Sequence, residues 1–213
     1  MLTPANINTP EYWDGVYLRE WESGQAHGAH YHRDYAPIHD AILRLIPSGS
    51  EVLDIACGAG LLCRKIARQV PSSRVMGVDF SEFMIGRNEE IDKALPVEYR
   101  CLDIRTSLAS LGRQFDVVCM CEVLEHLAEP EAVLGDAVAL VREGGQFILT
   151  CPHDNSIPDP EHVRTWGHDE LFHLLARYSD AITFRHFPAP YYHHWMLAHF
   201  AKAGAAGQPG GSQ

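Results

Sequence analysis

Between residues 51 and 152 the chain alternates short apolar runs with amphipathic stretches. The runs "EVLDIA", "SRVMGVDF", "VEYRCLDI", "FDVVCMC" and "GGQFILTCP" are of strand length and carry few polar positions. Such runs suit strands buried on both faces of a parallel sheet. The stretches between them read as helices. "LLCRKIARQV" places Leu62, Ile66 and Val70 on one face, with Pro71 after it. "SEFMIGRNEEIDKAL" has Ser81 as its N-cap, "RTSLASLG" is a weak helix, and "PEAVLGDAVALV" opens at Pro130. Strand alternating with helix five times predicts βαβ units and a mostly parallel sheet.

The flanks are patterned differently. "TPEYWDGVYLREW" offers Thr9 as N-cap and Pro10 at the first helical position. "YAPIHDAILRLIP" repeats Ile38, Ile42, Leu45 and Ile46 at helical spacing, and Pro47 ends it. Between them "ESGQAHGAHYHRD" reads as a loop, and residues 1–9 as a loose leader. After Pro152 comes an irregular loop, "HDNSIPDPEHVRTWG", then a helix in "HDELFHLLARYS" and two closing strands, "AITFRHF" and "YYHHWMLAHF". Alternation sends Tyr191, His193 and Trp195 to one face of the last strand, and Tyr192, His194 and Met196 to the other. One set is expected in the core and the other exposed or interfacial. The end, "AKAGAAGQPGGSQ", is a low-complexity tail expected to be disordered. The domain reading is a helical lid over 1–47, a core over 48–202 and a tail over 203–213.

Composition narrows the function classes. A chain of 213 residues holds one sizeable α/β core. Lys and Arg total 17 against 28 Asp and Glu, a formal charge of −11. That balance argues against nucleic-acid backbones and anionic membranes as partners. No long apolar segment or secretory pattern is seen, so the expected location is the cytoplasm. The six cysteines form no CxxC pair and read as reduced, mostly buried thiols.

In a parallel sheet, ligands bind at the carboxyl ends of the strands. The first such end is "VLDIACGAG", where Gly58 and Gly60 permit a tight turn and close approach. A dinucleotide site wants a third glycine, and Cys63 stands there instead. Asp54, in the strand end, would repel a pyrophosphate. It suits a ligand with an ammonium or sulfonium charge and no phosphate, such as S-adenosylmethionine (SAM). Asp79 ends the second strand, 25 residues on, placed to accept from ribose hydroxyls. Asp103 ends the third, placed to accept from an adenine amino group. Each alone also reads as a helix cap. Recurrence at three consecutive strand ends is what a cap does not explain.

These segments resemble class I SAM-dependent methyltransferases. "VLDIACGAG" is similar to that family's first motif, "GVDFSEFMI" to its ribose motif, "CLDI" to its adenine motif and "FDVVCMCEVLEHL" to its fourth. The likeness runs over about residues 50–152. Ala56 stands where the family more often has glycine, and alanine fits such a turn when its φ is negative. The resemblance implies an α/β, Rossmann-like three-layer sandwich with a seven-stranded, mostly parallel sheet, an antiparallel last strand and an N-terminal helical lid. It implies that Asp54, Ala56 and the Gly58–Gly60 turn hold the methionine moiety, Asp79 the ribose, and Asp103 with Ile104 the adenine. Phe80 covers the adenine or ribose, or is a helix-staple hydrophobe. The product would be S-adenosylhomocysteine.

The fourth strand should then present Cys121 and Glu122 to the reaction centre. "CEVLEHL" adds Glu125 and His126 at helical spacing. Four readings stand side by side. Glu122 lies near the cofactor while Glu125 and His126 are ordinary surface and packing residues. His126 or His153, with Glu122, handles a proton. The set Glu122, Glu125, His126 and His162 holds a metal, as in metal-dependent 2′-O-methyltransferases. Or the cluster only shapes the pocket. Tyr12, Trp13, Tyr17 and Trp21 are candidate cavity residues on the lid or a packing stripe, and Tyr31 and Arg33 are candidate contacts for the methionine carboxylate. The expected activity is SAM-dependent methylation of a hydroxyl or amine on a small molecule, without a metal. A non-catalytic SAM-binding protein is the other class.

Overall fold

The structure, a computed structural model, describes residues 7–24, 29–154, 159–188 and 194–204. Two helices come first, α1 (Pro10–Glu22) and α2 (Ala29–Leu43). The alternating block follows: β1 (Glu51–Ile55), α3 (Leu61–Gln69), β2 (Arg74–Asp79), α4 (Glu82–Asp92), β3 (Val97–Cys101), α5 (Ile104–Ser107), β4 (Phe115–Cys121), α6 (Pro130–Ala139) and β5 (Val141–Pro152). Then come α7 (His168–Leu175), β6 (Thr183–Pro188) and β7 (His194–Ala201). The seven strands form one sheet in the order β3-β2-β1-β4-β5-β7-β6, and β7 runs antiparallel to both neighbours.

Alternate strand residues feed two cores. Leu53, Val118, Met120, Phe147 and Leu149 pack with Leu134 of α6 and Leu171 of α7. Val52, Val117, Cys119 and Ile148 pack with Ile38 and Ile42 of α2 and Ile66 of α3. A sheet covered on both faces explains why its strands lack polar alternation. The strand reversal between β1 and β4 puts their carboxyl ends beside the turn after β1, where α/β sheets bind ligands.

Local chemistry sets the element starts. Thr9 accepts from the Tyr12 N–H and Pro10 opens α1. Ser81 accepts from the Met84 N–H and caps α4. Asp103 accepts from the Arg105 N–H and opens α5, so β3 stops two residues short of it, at Cys101. α2 begins at Ala29, inside the stretch expected to be a loop, and carries Pro37 internally. It ends at Leu43, four residues before Pro47. Both faces of β7 are buried: Trp195 and Leu197 join one core, Met196 and Ala198 the other. Helices lie on both sides, so both sets are buried along the strand, and His194 at its start is exposed. Tyr191, Tyr192, His193 and most of the expected tail lie outside the described residues, as do the side chains of Tyr31 and Arg33. The leader is not loose at its end. Asn8 is buried, and its amide donates to the carbonyls of His126 and Glu161.

Candidate functional site

Two adjoining cavities open at the carboxyl ends of β1, β2 and β4. The first, of about 250 Å³, is lined by Asp54, Ala56, Gly58, Cys121, Glu122 and Glu125, among others. The second, of about 100 Å³, is lined by Asp79, Phe80, Asp103 and Ile104. Trp13, Tyr17, Ala56, Glu122 and His126 border both.

The turn after β1 is left-handed at three residues, with φ of +55° at Ala56, +49° at Gly58 and +69° at Gly60. Alanine at a positive φ overturns the expectation that Ala56 sits comfortably. Tertiary bonds impose the shape: the Cys57 N–H donates to the Val78 carbonyl and the Gly58 N–H to Asp79 Oδ2. A Cβ on Gly60 would lie 2.7 Å from the Tyr99 hydroxyl, and one on Gly58 2.9 Å from the Tyr17 hydroxyl. Gly60 therefore needs glycine for space as well as for φ, and Gly58 for φ.

The strand-end carboxylates differ in environment. Asp54 is buried and accepts from the Cys63 thiol at 3.2 Å. Burial pushes its pKa up to about 7, against the lowering effect of that bond. Asp79 accepts from the Gly58 and Ser81 N–H groups, and burial still raises it to about 6. Asp103 does cap a helix, and its carboxylate is also forked by the Arg105 guanidinium, which holds its pKa low. Arg105 in turn lies over the Phe80 ring at 5.5 Å.

Glu122 turns away from its helical neighbours. Its φ is +56°, and the 3-10 turn that follows covers only Leu124–His126. One carboxylate oxygen accepts from Thr150 Oγ1 at 2.8 Å and the other from Trp195 Nε1 at 2.9 Å. Burial raises its pKa. Glu125, His126 and His162 form a separate group, with one ligand atom each within 4.8 Å of the others. Glu125 is 2 % exposed, its pKa is pushed well up by burial, and its Oε2 has no hydrogen-bond partner among the described residues. His126 Nδ1 lies 3.2 Å from the Glu161 carbonyl, so Nδ1 carries the proton. Its Nε2 lone pair is left 4.0 Å from Glu125 Oε1. Burial lowers the His126 pKa to about 4, which keeps the ring neutral. His153 lines neither cavity and packs toward His186 instead.

Of the lid aromatics, Trp13 and Tyr17 border the cavities. Tyr12 instead donates to the Glu161 carboxylate, and Trp21 lies under Arg87. Sequence reasoning missed Asn8, Thr150, Asp159 and Trp195. Asn8 anchors the start of α1, Thr150 and Trp195 hold Glu122, and Asp159 lines the first cavity with His162. Thr150 stands in the run read as the fifth strand, with nothing local to mark its role, and only the fold brings Asn8, Asp159 and Trp195 to the strand ends.

Comparison with known proteins agrees with this geometry. Residues 27–199, well over half the chain, match the family model described as a methyltransferase domain. A ubiquinone biosynthesis O-methyltransferase of Pseudomonas fluorescens (strain SBW25) is 29% identical over 68% of this chain and 65% of its own length. Another, from Coxiella burnetii, is matched over 45% of its length, so the chain spans about half to two thirds of these relatives. The magnesium protoporphyrin IX methyltransferase of Synechocystis PCC 6803, solved with bound SAH, shares the fold with a TM-score of 0.71 at 17% identity, over 91% of this chain and 98% of that one. Family model, strand order and cavity position agree, and the chain belongs to the methyltransferase-domain family.

Proposed function

We propose that the protein transfers the methyl group of SAM to a hydroxyl or amine of a small molecule. The observation that carries this is Asp54, a buried carboxylate at the ligand end of β1 with a thiol as its hydrogen-bond donor. A sulfonium or ammonium group is what such a carboxylate lacks, and a pyrophosphate is what it repels. In this reading Asp54, Ala56 and the Gly58–Gly60 turn take the methionine end, Asp79 the ribose hydroxyls, and Asp103 and Ile104 the adenine, with Phe80 across it. SAM supplies the activated methyl. Cys121 and Glu122 border the reacting carbon, α1 and α2 exclude water as a lid, and the chain aligns the acceptor for in-line displacement. His126 and Glu122 are the groups placed to take the acceptor's proton; the proposed machinery does not include His153. The acidic balance and the ubiquinone-pathway relatives favour a small acceptor over a nucleic acid.

Calorimetric titration with SAM, with NADH as control, tests this directly. SAM should bind and NADH should not, and Asp79→Ala should weaken SAM at least about tenfold, the loss of two charge-assisted hydrogen bonds. Absence of SAM binding would overturn the proposal. Binding without turnover on any nucleophile would point to the non-catalytic class.

A second reading rests on the Glu125, His126 and His162 group. A neutral imidazole whose Nδ1–H is committed to a carbonyl, beside an unpartnered carboxylate oxygen, is the donor set of a divalent-cation site. Glu122 lies outside that set, whose ligand atoms within 4.8 Å of one another come from Glu125, His126 and His162. A cation there would lower the pKa of a substrate hydroxyl. Chelator that abolishes turnover while leaving SAM affinity unchanged would support this reading; chelator without effect on turnover would remove it.

A further inference from the structure

Three adjacent strands end in histidines on one face of the sheet, away from the cavities. The pairings Cys151 with Met196 and His186 with Met196 define that face across β5, β7 and β6. Period-two alternation carries it on to His153 and His194. His168, the first residue of α7, lies over the same face, its ring 4.5 Å from Phe184 and nearly parallel to His186 at 27°. His168 Nδ1 is 3.2 Å from His186 Nε2. The His153 ring centre is 5.4 Å from that of His186, and His153 Nδ1 is 3.3 Å from Asp154 Oδ2. All four rings have solvent access.

We propose that this cluster binds a d-block cation of the zinc class, with His168 Nδ1 and His186 Nε2 as the core pair and His153 as the third ligand. Imidazole nitrogens select borderline cations such as zinc over magnesium or calcium. Two nitrogens on one tetrahedral zinc, each at about 2.0–2.1 Å, stand about 3.3–3.4 Å apart. The His168–His186 pair, joined by an N–H···N hydrogen bond at 3.2 Å, is close to that spacing, and zinc takes the place of the shared proton as the donor ring moves its N–H to its other nitrogen. Asp154 engages His153 through Nδ1, which leaves Nε2 for the metal in the carboxylate–histidine–metal arrangement. In the structure the three rings do not bring one nitrogen each within 4.8 Å of the others, so a turn of the part-exposed His153 ring is what completes the set. The fourth position falls to His194 or water. This site shares no residue with the Glu125, His126 and His162 group, and it does not depend on the proposed methyl transfer.

The test is calorimetric titration of the full chain with Zn²⁺ alone. Three proteins are compared: wild type, His168→Asn/His186→Asn, and Glu125→Gln/His162→Asn. The wild type should show a zinc-binding step that the first variant loses and the second retains. Thermal melts without metal establish that both variants fold, and His153→Asn gives an intermediate loss without touching the core pair. A zinc step unchanged in His168→Asn/His186→Asn overturns the proposal. So does a step lost only in Glu125→Gln/His162→Asn, or no zinc step in the wild type.

Discussion

At residue scale, Ala56 carries a cost that its family more often avoids. Its φ of +55° lies where a Cβ crowds the following carbonyl, at about 1–2 kcal/mol for a residue other than glycine. Glycine would remove that strain and return about 0.5–1 kcal/mol through its freer unfolded chain. Ala56→Gly should therefore raise stability by up to about 1 kcal/mol, read as a rise of about 2–4 °C in the melting midpoint. A fall would mean that the Ala56 methyl packs usefully against the cavities it borders. The motif was readable in the sequence, but the sign of φ was not, because bonds from β2 set it. Asp54 couples ligand binding to a proton. With a pKa near 7 its carboxyl is largely protonated at pH 6, and a cationic ligand beside it favours the ionised form. SAM binding at pH 6 should then release protons, seen by calorimetry in buffers of different ionisation heat, and Asp54→Asn should abolish the release. Zero release in the wild type would mean that the carboxylate is already charged before the ligand arrives.

At the scale of elements, α1 is held by its ends and not by a buried face. None of its residues is buried. Asn8 ties it down from just outside: its amide bonds two carbonyls, Trp13 Nε1 donates to its side-chain oxygen, and Arg105 donates to its backbone carbonyl. Asp14 and Ser81 add a bond to the start of α4. Asn8→Ala removes three side-chain bonds, each worth about 1 kcal/mol, from a lid that contributes little to either core. SAM should then bind on the order of tenfold more weakly while the global melting point barely moves, and amide exchange over residues 10–22 should quicken. Unchanged exchange would show that other contacts hold the lid. Thr9, Pro10 and Ser81 announced their helices because caps are local chemistry. The start of α2 and the anchoring by Asn8 were hidden because both depend on contacts far along the chain.

At the scale of the whole molecule, the cavities concentrate buried carboxylates, and the cation that lines them, Arg105, is committed to Asp103. The β-strand ends and their aspartates could be read from the sequence, since apolar runs stop where the ligand side begins. The convergence of Glu125, Thr150, Asp159 and Trp195 on the same space could not, since it follows from strand order. That convergence has a thermodynamic consequence. Burial raises the pKa of Asp54 to about 7 and of Asp79 to about 6, and Glu122 and Glu125 move the same way. A carboxyl with a raised folded pKa holds a proton that the unfolded chain releases near pH 4, so its contribution falls as pH rises toward the folded value. His126, lowered to about 4, acts oppositely, but its gain is complete once pH passes the ordinary histidine value of about 6.5. Between pH 6 and 8 the carboxylates outnumber it. The ligand-free protein should lose about 1–2 kcal/mol over that interval, or on the order of 5 °C in melting midpoint. Saturating SAM should flatten the slope, because its positive charge stabilises ionised Asp54 in the fold. Melting curves across pH 6–8, with and without SAM, measure both effects. A ligand-free midpoint that rises with pH would mean that these carboxyls are ionised in the folded protein, compensated by charge that the strand ends do not supply.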